Sequence, residues 1–237
     1  MFRRSLLALA MVTIAVPTLA EEEEVSLWSG KATIGYLATS GNTDNSNLNT
    51  GFELAYAPGK WTHGVQVLAI YATESNATTA EAYDVGWKSE RKLSDENYLF
   101  GRLDWRKDRF SSFETQASQT LGYGRRLIHS DKYKLNLEVG AGARQSDLAD
   151  GSSTSETILR GGLNFAWTLS ETAEFKQGLV VEAGDDNTFS ESITELSARL
   201  VGNLALVASY RVRHNSDVLP LTEKTDTRAA LSLEYLF

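Results

Sequence analysis

The 237-residue chain contains no cysteine. This absence excludes disulfide bonds, thiolate metal sites, a cysteine nucleophile and a lipid-modified cysteine anchor. Proline is scarce, with three residues: Pro17 lies near the N-terminus, Pro58 in a predicted turn and Pro220 in a predicted loop. Because none of them falls within a predicted strand, none would interrupt a β-ladder.

Long apolar runs are also missing. After residue 20, no segment reaches the roughly 18 consecutive apolar residues that a membrane-spanning helix needs. Positive charge is in short supply as well, since 23 Lys and Arg stand against 31 Asp and Glu, for a formal net charge of −8. This balance disfavours binding to a phosphate backbone. We therefore expect no membrane-spanning helix and no nucleic acid as a partner.

The first twenty residues have the pattern of a secretory signal. Two arginines precede an apolar stretch over residues 6–16, and the small residues Thr18 and Ala20 precede a cleavage site. This pattern predicts a Sec signal peptide at 1–20 that is removed on export. An acidic segment at 21–27 follows, and the mature chain would keep 21 basic and 31 acidic side chains, for a net charge of −10.

From residue 28 onward, apolar and polar residues alternate with a period close to two, which is the repeat of a strand with two different faces. The last segment has the clearest apolar face, formed by Ala229, Leu231, Leu233, Tyr235 and Phe237. Most of the alternating segments are near the roughly 9–11 residues that a tilted transmembrane strand needs.

This alternation predicts an all-β fold, namely a membrane-spanning up-and-down antiparallel β-barrel that forms a single domain over residues 28–237. We expect about twelve strands, with ten or fourteen as alternatives, at 28–40, 46–57, 61–73, 81–91, 97–107, 114–128, 133–146, 156–169, 173–184, 188–201, 204–214 and 226–237. The segments between them alternate between short turns and generally longer polar loops. We therefore expect short periplasmic turns and longer extracellular loops.

The competing interpretation is a soluble barrel or sandwich, in which the apolar face would point inward. Glycines argue against it, because many of them share the polar face, where they would weaken an exposed sheet but leave room for long side chains inside a barrel. Aromatic residues near strand ends are typical of girdles at membrane interfaces: Trp28, Tyr36, Tyr56, Tyr71, Trp87, Trp105, Tyr133, Trp167 and Phe237. The predicted location is the outer membrane of a Gram-negative bacterium.

Three stretches carry a family resemblance: GYLATSGNTDNSNLNTGFELAY at 35–56, KDRF at 107–110 and TLGYGRRLIHSDKYKLNLEVGAGAR at 120–144. They resemble the YdiY-like bacterial salt-induced outer-membrane proteins, a family defined by a domain of unknown function. The resemblance implies an outer-membrane barrel and a link with salt or osmotic conditions, and it supplies no catalytic residues. The closing strand also resembles the signal that the barrel assembly machinery reads, carried here by Leu231, Leu233, Tyr235 and Phe237.

The polar face of the predicted barrel would place charged side chains in the lumen. The main lumen-lining candidates are Arg102, Asp104, Arg106, Arg126, Glu138, Arg144, Arg160, Glu182, Glu195, Arg199, Arg211, Arg213, Arg228 and Glu234. The other charged residues on this face are Lys31, Lys88, Lys134, Lys176, Glu53, Asp84, Glu90 and Glu174, which brings the lumen to thirteen basic and nine acidic side chains. The outer loops and strand tips, with Asp108, Glu156 and Glu191 among them, would carry two basic and fourteen acidic ones.

Mixed charge in the lumen leaves two interpretations open. One is a lumen filled by salt-bridged side chains, since a barrel of twelve strands lies between the filled eight-stranded and the water-filled sixteen-stranded classes. The other is a narrow channel for small solutes that weakly prefers anions.

Outer-membrane lipid and lipopolysaccharide are the expected partners, together with the barrel assembly machinery. Acidic residues in the outer loops are candidates to bind Ca²⁺ or Mg²⁺ and to bridge the rim to lipopolysaccharide phosphates: Asp147, Asp150, Asp185 and Asp186. Their spacing does not match a calcium-binding EF-hand loop, so the pattern alone gives weak support.

A lipid hydrolase is a further alternative. His214 lies on the apolar face near the outer end of its strand, with Thr225 and Thr227 on the neighbouring strand as candidate nucleophiles. The chain has no GxSxG, phosphate-loop or HExxH motif. We therefore expect a protein that is not an enzyme and needs no cofactor.

Overall fold

The computed structural model describes residues 26–39 and 45–237. The predicted signal peptide at 1–20, most of the acidic segment at 21–27 and the loop at 40–44 lie outside the described residues. Within the described part of the chain, no helix combines the length and the apolar character needed to cross a bilayer.

Within residues 26–39 and 45–237, twelve antiparallel strands follow one another along the chain and close into a barrel. Each strand pairs with its sequence neighbours, and β1 pairs with β12. The strands are β1 Trp28–Thr39, β2 Asn45–Tyr56, β3 Trp61–Glu74, β4 Ala77–Lys92, β5 Asn97–Asp108, β6 Phe113–His129, β7 Tyr133–Leu148, β8 Ser153–Thr168, β9 Ala173–Ala183, β10 Thr188–Val201, β11 Leu204–Asn215 and β12 Thr225–Leu236. The predicted all-β, up-and-down barrel of about twelve strands is confirmed.

The barrel has two distinct ends. The termini end holds the start of β1, the end of β12 and the turns at 57–60, 93–96, 130–132, 169–172 and 202–203. The loop end holds the end of β1, the start of β2 and the connections at 75–76, 109–112, 149–152, 184–187 and 216–224.

Several connections at the loop end are shorter than the sequence suggests, because their flanking strands continue into segments predicted as loop. Strand β4 begins at Ala77 rather than near residue 81. This leaves Ser75 and Asn76 as a two-residue turn, in which both residues have positive φ, 49° and 67°. Such values are typical of the tight hairpin turn that matches the twist of the flanking strands.

Apolar side chains cover the outward wall of the barrel. Leu121, Val139 and Leu159, on neighbouring strands, are 75%, 63% and 68% exposed. Aromatic rings cluster toward the termini end, where Trp28 stacks on Tyr56 with ring centroids 4.3 Å apart. A soluble monomer rarely exposes a continuous apolar band of this kind, whereas a barrel embedded in lipid requires one.

The seam between β1 and β12 is the shortest pairing in the sheet. Its register covers four residue pairs, from Lys31–Leu236 to Ile34–Leu233, and backbone hydrogen bonds between Gly30 and Phe237 extend it by one more. Pairing between β1 and β2 covers twelve. Within the described residues, the part of β1 beyond Ile34 therefore has no ladder partner on β12.

Candidate functional site

The candidate site is the lumen, because the buried charged side chains of the described residues lie on the inward rows of the strands. Alternation along a strand sends every second side chain to the same face, so the charges of one row stack along the barrel axis. They form two groups at different heights, one in the loop half and one toward the termini end.

A cluster that we call the ion-pair layer fills the loop half of the lumen. Its members are Asp84, Arg106, Asp108, Arg144, Glu156, Arg160, Glu182, Glu191, Arg211, Arg213 and Arg228. Glu182 lies at its centre, with a fully buried side chain. Its carboxylate is 2.7 Å from the Arg160 guanidinium, 3.5 Å from Arg106 and 3.7 Å from Arg144.

The layer also holds the connection between β9 and β10. One oxygen of Glu156 accepts a hydrogen bond of 2.6 Å from Arg144. The other accepts the backbone N–H groups of Asp186 and Asn187, at 2.9 and 3.3 Å. Arg144 in turn donates to the carbonyl oxygen of Asn187. This loop is therefore folded over the layer and fixed to it by charge-assisted hydrogen bonds.

The two longest contacts of the layer cross the lumen between strands that lie five positions apart in the barrel. Asp84 on β4 accepts a hydrogen bond of 2.5 Å from Arg213 on β11, and Arg211 approaches the same oxygen at 3.3 Å. Arg228 on β12 donates to Asp108 on β5 at 2.6 Å. Since β4 and β11, and likewise β5 and β12, are not neighbours in the sheet, these ion pairs join separate parts of the wall and obstruct the passage between them.

Hydrogen bonding within the layer is incomplete. Three of its buried atoms have no hydrogen-bond partner among the described residues: Asp84 Oδ1, Arg160 Nε and Arg228 Nη1. A buried polar atom left in this way costs about 1–3 kcal/mol. A completely satisfied polar network rigidifies a protein interior, and the ion-pair layer is not completely satisfied.

A second group of charges lines the wall from β4 to β7 toward the termini end. Glu138 accepts a hydrogen bond of 2.7 Å from the Tyr98 hydroxyl and one from the Lys88 ammonium. Glu90 lies 2.8 Å from Lys88 and 3.2 Å from Arg126. These pairs span at most three strand positions, from β4 to β7, whereas the longest contacts of the ion-pair layer span five.

Open space occupies the lumen below the ion-pair layer. One cavity of about 420 Å³ extends from Arg211 and Arg213 to Lys134, and another of about 520 Å³ continues toward the termini end. Both cavities have Lys31, Glu53, Gln66, Arg102, Lys176 and Glu195 in their walls. The lumen is thus obstructed in its loop half and open below.

The structure places the fourteen lumen candidates on inward rows. Seven belong to the ion-pair layer: Arg106, Arg144, Arg160, Glu182, Arg211, Arg213 and Arg228. The other seven lie below it: Arg102, Asp104, Arg126, Glu138, Glu195, Arg199 and Glu234. Arg199 is exposed at the termini end of its row.

Four carboxylates predicted at the outer rim lie on the inward rows instead: Asp108, Glu156, Glu191 and Asp226. Each is an even number of residues from an inward-facing charge on its own strand, as Glu191 is from Glu195. Their position near strand ends suggested the rim, but their parity points inward. With them, the inward rows carry thirteen basic and thirteen acidic side chains, so the predicted excess of four positive charges disappears.

Two of the four acidic loop residues, Asp147 and Asp150, have side chains that are hydrogen-bonded locally. Asp150 accepts the hydroxyl and the backbone N–H of Ser152, at 2.6 and 2.9 Å, and these bonds hold the pKa of its carboxyl below the usual value. Asp147 accepts the Ser153 hydroxyl at 2.8 Å. Over residues 26–39 and 45–237, no three His, Asp or Glu side chains are grouped so as to hold a metal ion. Binding of Ca²⁺ or Mg²⁺ by these loops stays a prediction.

The histidine considered for hydrolysis lies on the outward wall near the loop end. His214 Nδ1 is 2.9 Å from the Thr225 hydroxyl on β12, while Thr227 lies further along the same face. Within the described chain, His214 has no hydrogen bond to an Asp or Glu that would orient its ring. The pair therefore supplies a base and a hydroxyl without the third group that activates a nucleophile in known triads.

The residues of the predicted assembly signal also face outward. Leu231, Leu233, Tyr235 and Phe237 are 62%, 43%, 52% and 52% exposed. Phe237 pairs through its backbone with Gly30 and lies against Phe52, with ring centroids 6.2 Å apart. Recognition of this strand by the assembly machinery stays a prediction.

A family model described as "Protein of unknown function, DUF481" matches residues 32–237, which is nearly the whole barrel. The chain belongs to the DUF481 family. The resemblance read from its motifs is thereby confirmed. The uncharacterized protein YdiY of Escherichia coli (strain K12) is 29% identical to this DUF481 chain over 214 residues, covering 88% of the chain and 82% of YdiY.

Solved structures similar to this DUF481 barrel include proteins of different roles. The COG4313 outer-membrane channel from Pseudomonas putida F1 aligns with a TM-score of 0.52 and 11% identity, covering 94% of the chain and all of the channel. The translocator domain of the autotransporter NalP from Neisseria meningitidis also reaches 0.52 at 11% identity, covering 91% and 90%. Because the identity is low, these likenesses show the fold alone, an outer-membrane type of barrel.

Proposed function

We propose that the protein is an outer-membrane channel for small solutes whose lumen is closed at rest by the ion-pair layer. The observation that carries the proposal is the 2.5 Å contact between Asp84 and Arg213, which crosses the lumen from β4 to β11. A barrel that only needed a stable interior would be served as well by apolar residues of similar size, since buried ion pairs are costly to desolvate. The charged closure above an open cavity therefore supports a passage that can open.

The proposed orientation places the termini end in the periplasm and the loop end outside the cell. The apolar outward wall and the aromatic rings toward the termini end support insertion in a bilayer. Export by a Sec signal at 1–20 and a Gram-negative source are part of the same proposal. In this orientation the ion-pair layer lies toward the extracellular side, and the open cavities face the periplasm.

Opening would proceed by an exchange of partners within the layer. Arg211 lies 3.3 Å from Asp84 and 3.2 Å from Glu191, so it already contacts both carboxylates. Arg213 likewise contacts both, at 2.5 Å each. If both arginines stayed on Glu191, the contact with β4 would be lost while each guanidinium kept a charged partner. That exchange removes the contact between β4 and β11 without leaving an arginine unpaired, and opening of the passage also requires release of the contact between Arg228 and Asp108.

Conductance of the wild-type protein in planar bilayers tests the proposal. We expect brief, small current steps from a closed baseline, because the layer must rearrange before ions pass. Flux of ions and small solutes from liposomes should be correspondingly slow. A correctly folded barrel that passes no current at any voltage or salt concentration would overturn the proposal in favour of a structural role, and a permanently open current would contradict closure by the layer.

A lipid hydrolase is the second candidate function, favoured only by the 2.9 Å contact between His214 and Thr225. The proposed channel predicts that His214→Ala leaves conductance unchanged and that wild type and variant release equal, background amounts of fatty acid from vesicles. His63→Ala, which changes another histidine on the outward wall, is the matched control. Hydrolysis by the wild type and His63→Ala that is absent in His214→Ala would establish the enzyme.

The link with salt or osmotic conditions, which the family resemblance implies, stays a prediction.

A further inference from the structure

Two adjacent rows of side chains cross β7, β8 and β9 toward the termini end of the lumen. One row consists of Asn136, Asn164 and Gly178, which are register partners, and the other of Lys134, Ala166 and Lys176. All six residues line the cavity of about 420 Å³. We call them the Lys–Asn patch.

The patch combines hydrogen-bond donors with free space. Lys134 and Asn164 are exposed, and the Lys176 side chain is 44% exposed. A Cβ added to Gly178 would come no closer than 3.8 Å to another side chain, so this position leaves a recess between the two strands that flank it. Each asparagine amide offers two N–H donors and each ammonium offers three, around a floor formed by glycine and alanine.

The charge balance of the patch favours an anion. Glu174 lies 2.7 Å from Lys176, and Glu195 is the register partner of Lys176 on β10. Glu138, on the same row of β7, is occupied by Lys88 and Tyr98. Within the described chain, no carboxylate lies within 4 Å of the Lys134 ammonium. Among the described residues, Lys134 is thus the lysine of the patch whose positive charge has no carboxylate partner.

We propose that the Lys–Asn patch is a binding subsite for a small solute that carries an oxyanion, either a carboxylate or a phosphate. The Lys134 ammonium would attract the anion, and the two amides would donate hydrogen bonds to its oxygens. A cavity of this size is within the usual range for sites that bind small molecules. The solute's route to the patch rests on the proposed channel, whereas binding itself can be measured without conduction.

Isothermal titration calorimetry of the purified barrel in detergent at low ionic strength tests the subsite. The probes are citrate for the carboxylate, inorganic phosphate for the phosphate and glycerol as a neutral solute. We expect at least one anion to bind and glycerol not to bind. Lys134→Gln should weaken anion binding about fivefold, as expected for one partly exposed charge. Lys132→Gln, the same change on the adjacent turn outside the lumen, should leave it unchanged.

A second variant keeps the test independent of one lysine. Asn164→Asp places a negative charge beside both ammonium groups and should abolish the measured binding, because it competes with the anion from within the patch. Binding of citrate alone would assign the subsite to carboxylates, and binding of phosphate alone would assign it to phosphates. No anion binding, or equal weakening by Lys132→Gln and Lys134→Gln, would overturn the proposal. Anion binding by a barrel that never conducts would confirm the subsite and overturn the channel.

Discussion

Asp84→Asn is expected to open the barrel, raising the open probability at least about tenfold over wild type. The substitution keeps the size of the side chain and removes the charge that holds Arg211 and Arg213 from across the lumen. Hydrogen bonds to charged groups contribute about 1.5–3 kcal/mol each, which corresponds to a tenfold or larger change in the equilibrium. Both arginines would remain paired with Glu191, so loss of the contact between β4 and β11 leaves neither guanidinium without a carboxylate.

Single-channel recording measures this change directly, with Asp95→Asn as the matched control. Asp95 lies on a turn of the termini end, where it pairs with Lys92 and is 96% exposed, so its loss should not alter the current. Heat-modifiable migration on gels verifies that each variant is folded. If Asp84→Asn stays as closed as wild type and folds normally, the contact between β4 and β11 does not close the lumen.

Glu182→Gln is expected to lower the free energy of unfolding by about 3–5 kcal/mol. Its side chain is fully buried among Arg106, Arg144 and Arg160, and neutralising it leaves these guanidinium groups without their shared carboxylate. Removing one partner from a buried ion pair has a cost of this size, because the remaining charge cannot be hydrated.

Urea unfolding in lipid vesicles measures the loss, and Glu174→Gln provides the comparison. Glu174 and its partner Lys176 are 36% and 44% exposed, so breaking their pair should change the unfolding free energy by no more than about 1 kcal/mol. Equal losses in the two variants would mean that the ion-pair layer contributes no more to stability than a surface pair.

The period-two pattern was sufficient to predict the strands and the faces that they present. Most predicted boundaries lie within two residues of the structure, and β4 is an exception because Ala77 and the residues after it read as a polar loop. Their pairing with the end of β3 depends on the tight turn at Ser75 and Asn76. Two adjacent residues of positive φ indicate a hairpin turn once the turn is known to be two residues long, and the sequence alone does not give that length.

The candidate site was predictable as a set of residues but not as a set of contacts. Alternation assigns Asp84 and Arg213 to the lumen, yet it does not say that they meet, because partners across a barrel depend on the number of strands and on their stagger. Glu156 and Glu191 were misplaced for a different reason. Their nearness to strand ends was given more weight than their parity, although parity alone would have placed both inside.

The short seam between β1 and β12 gives the ion-pair layer a mechanical role. The other strand boundaries are joined by ten or more residue pairs, whereas the seam has five at most, all in the half nearer the termini end. In the other half, β1 and β12 form no ladder pairs within the described residues. The ion pairs from β11 and β12 to β4 and β5 span the same side of the barrel from within. If the proposed channel opens by loss of these ion pairs, the same change would remove the contacts that join the wall on either side of the unpaired part of the seam.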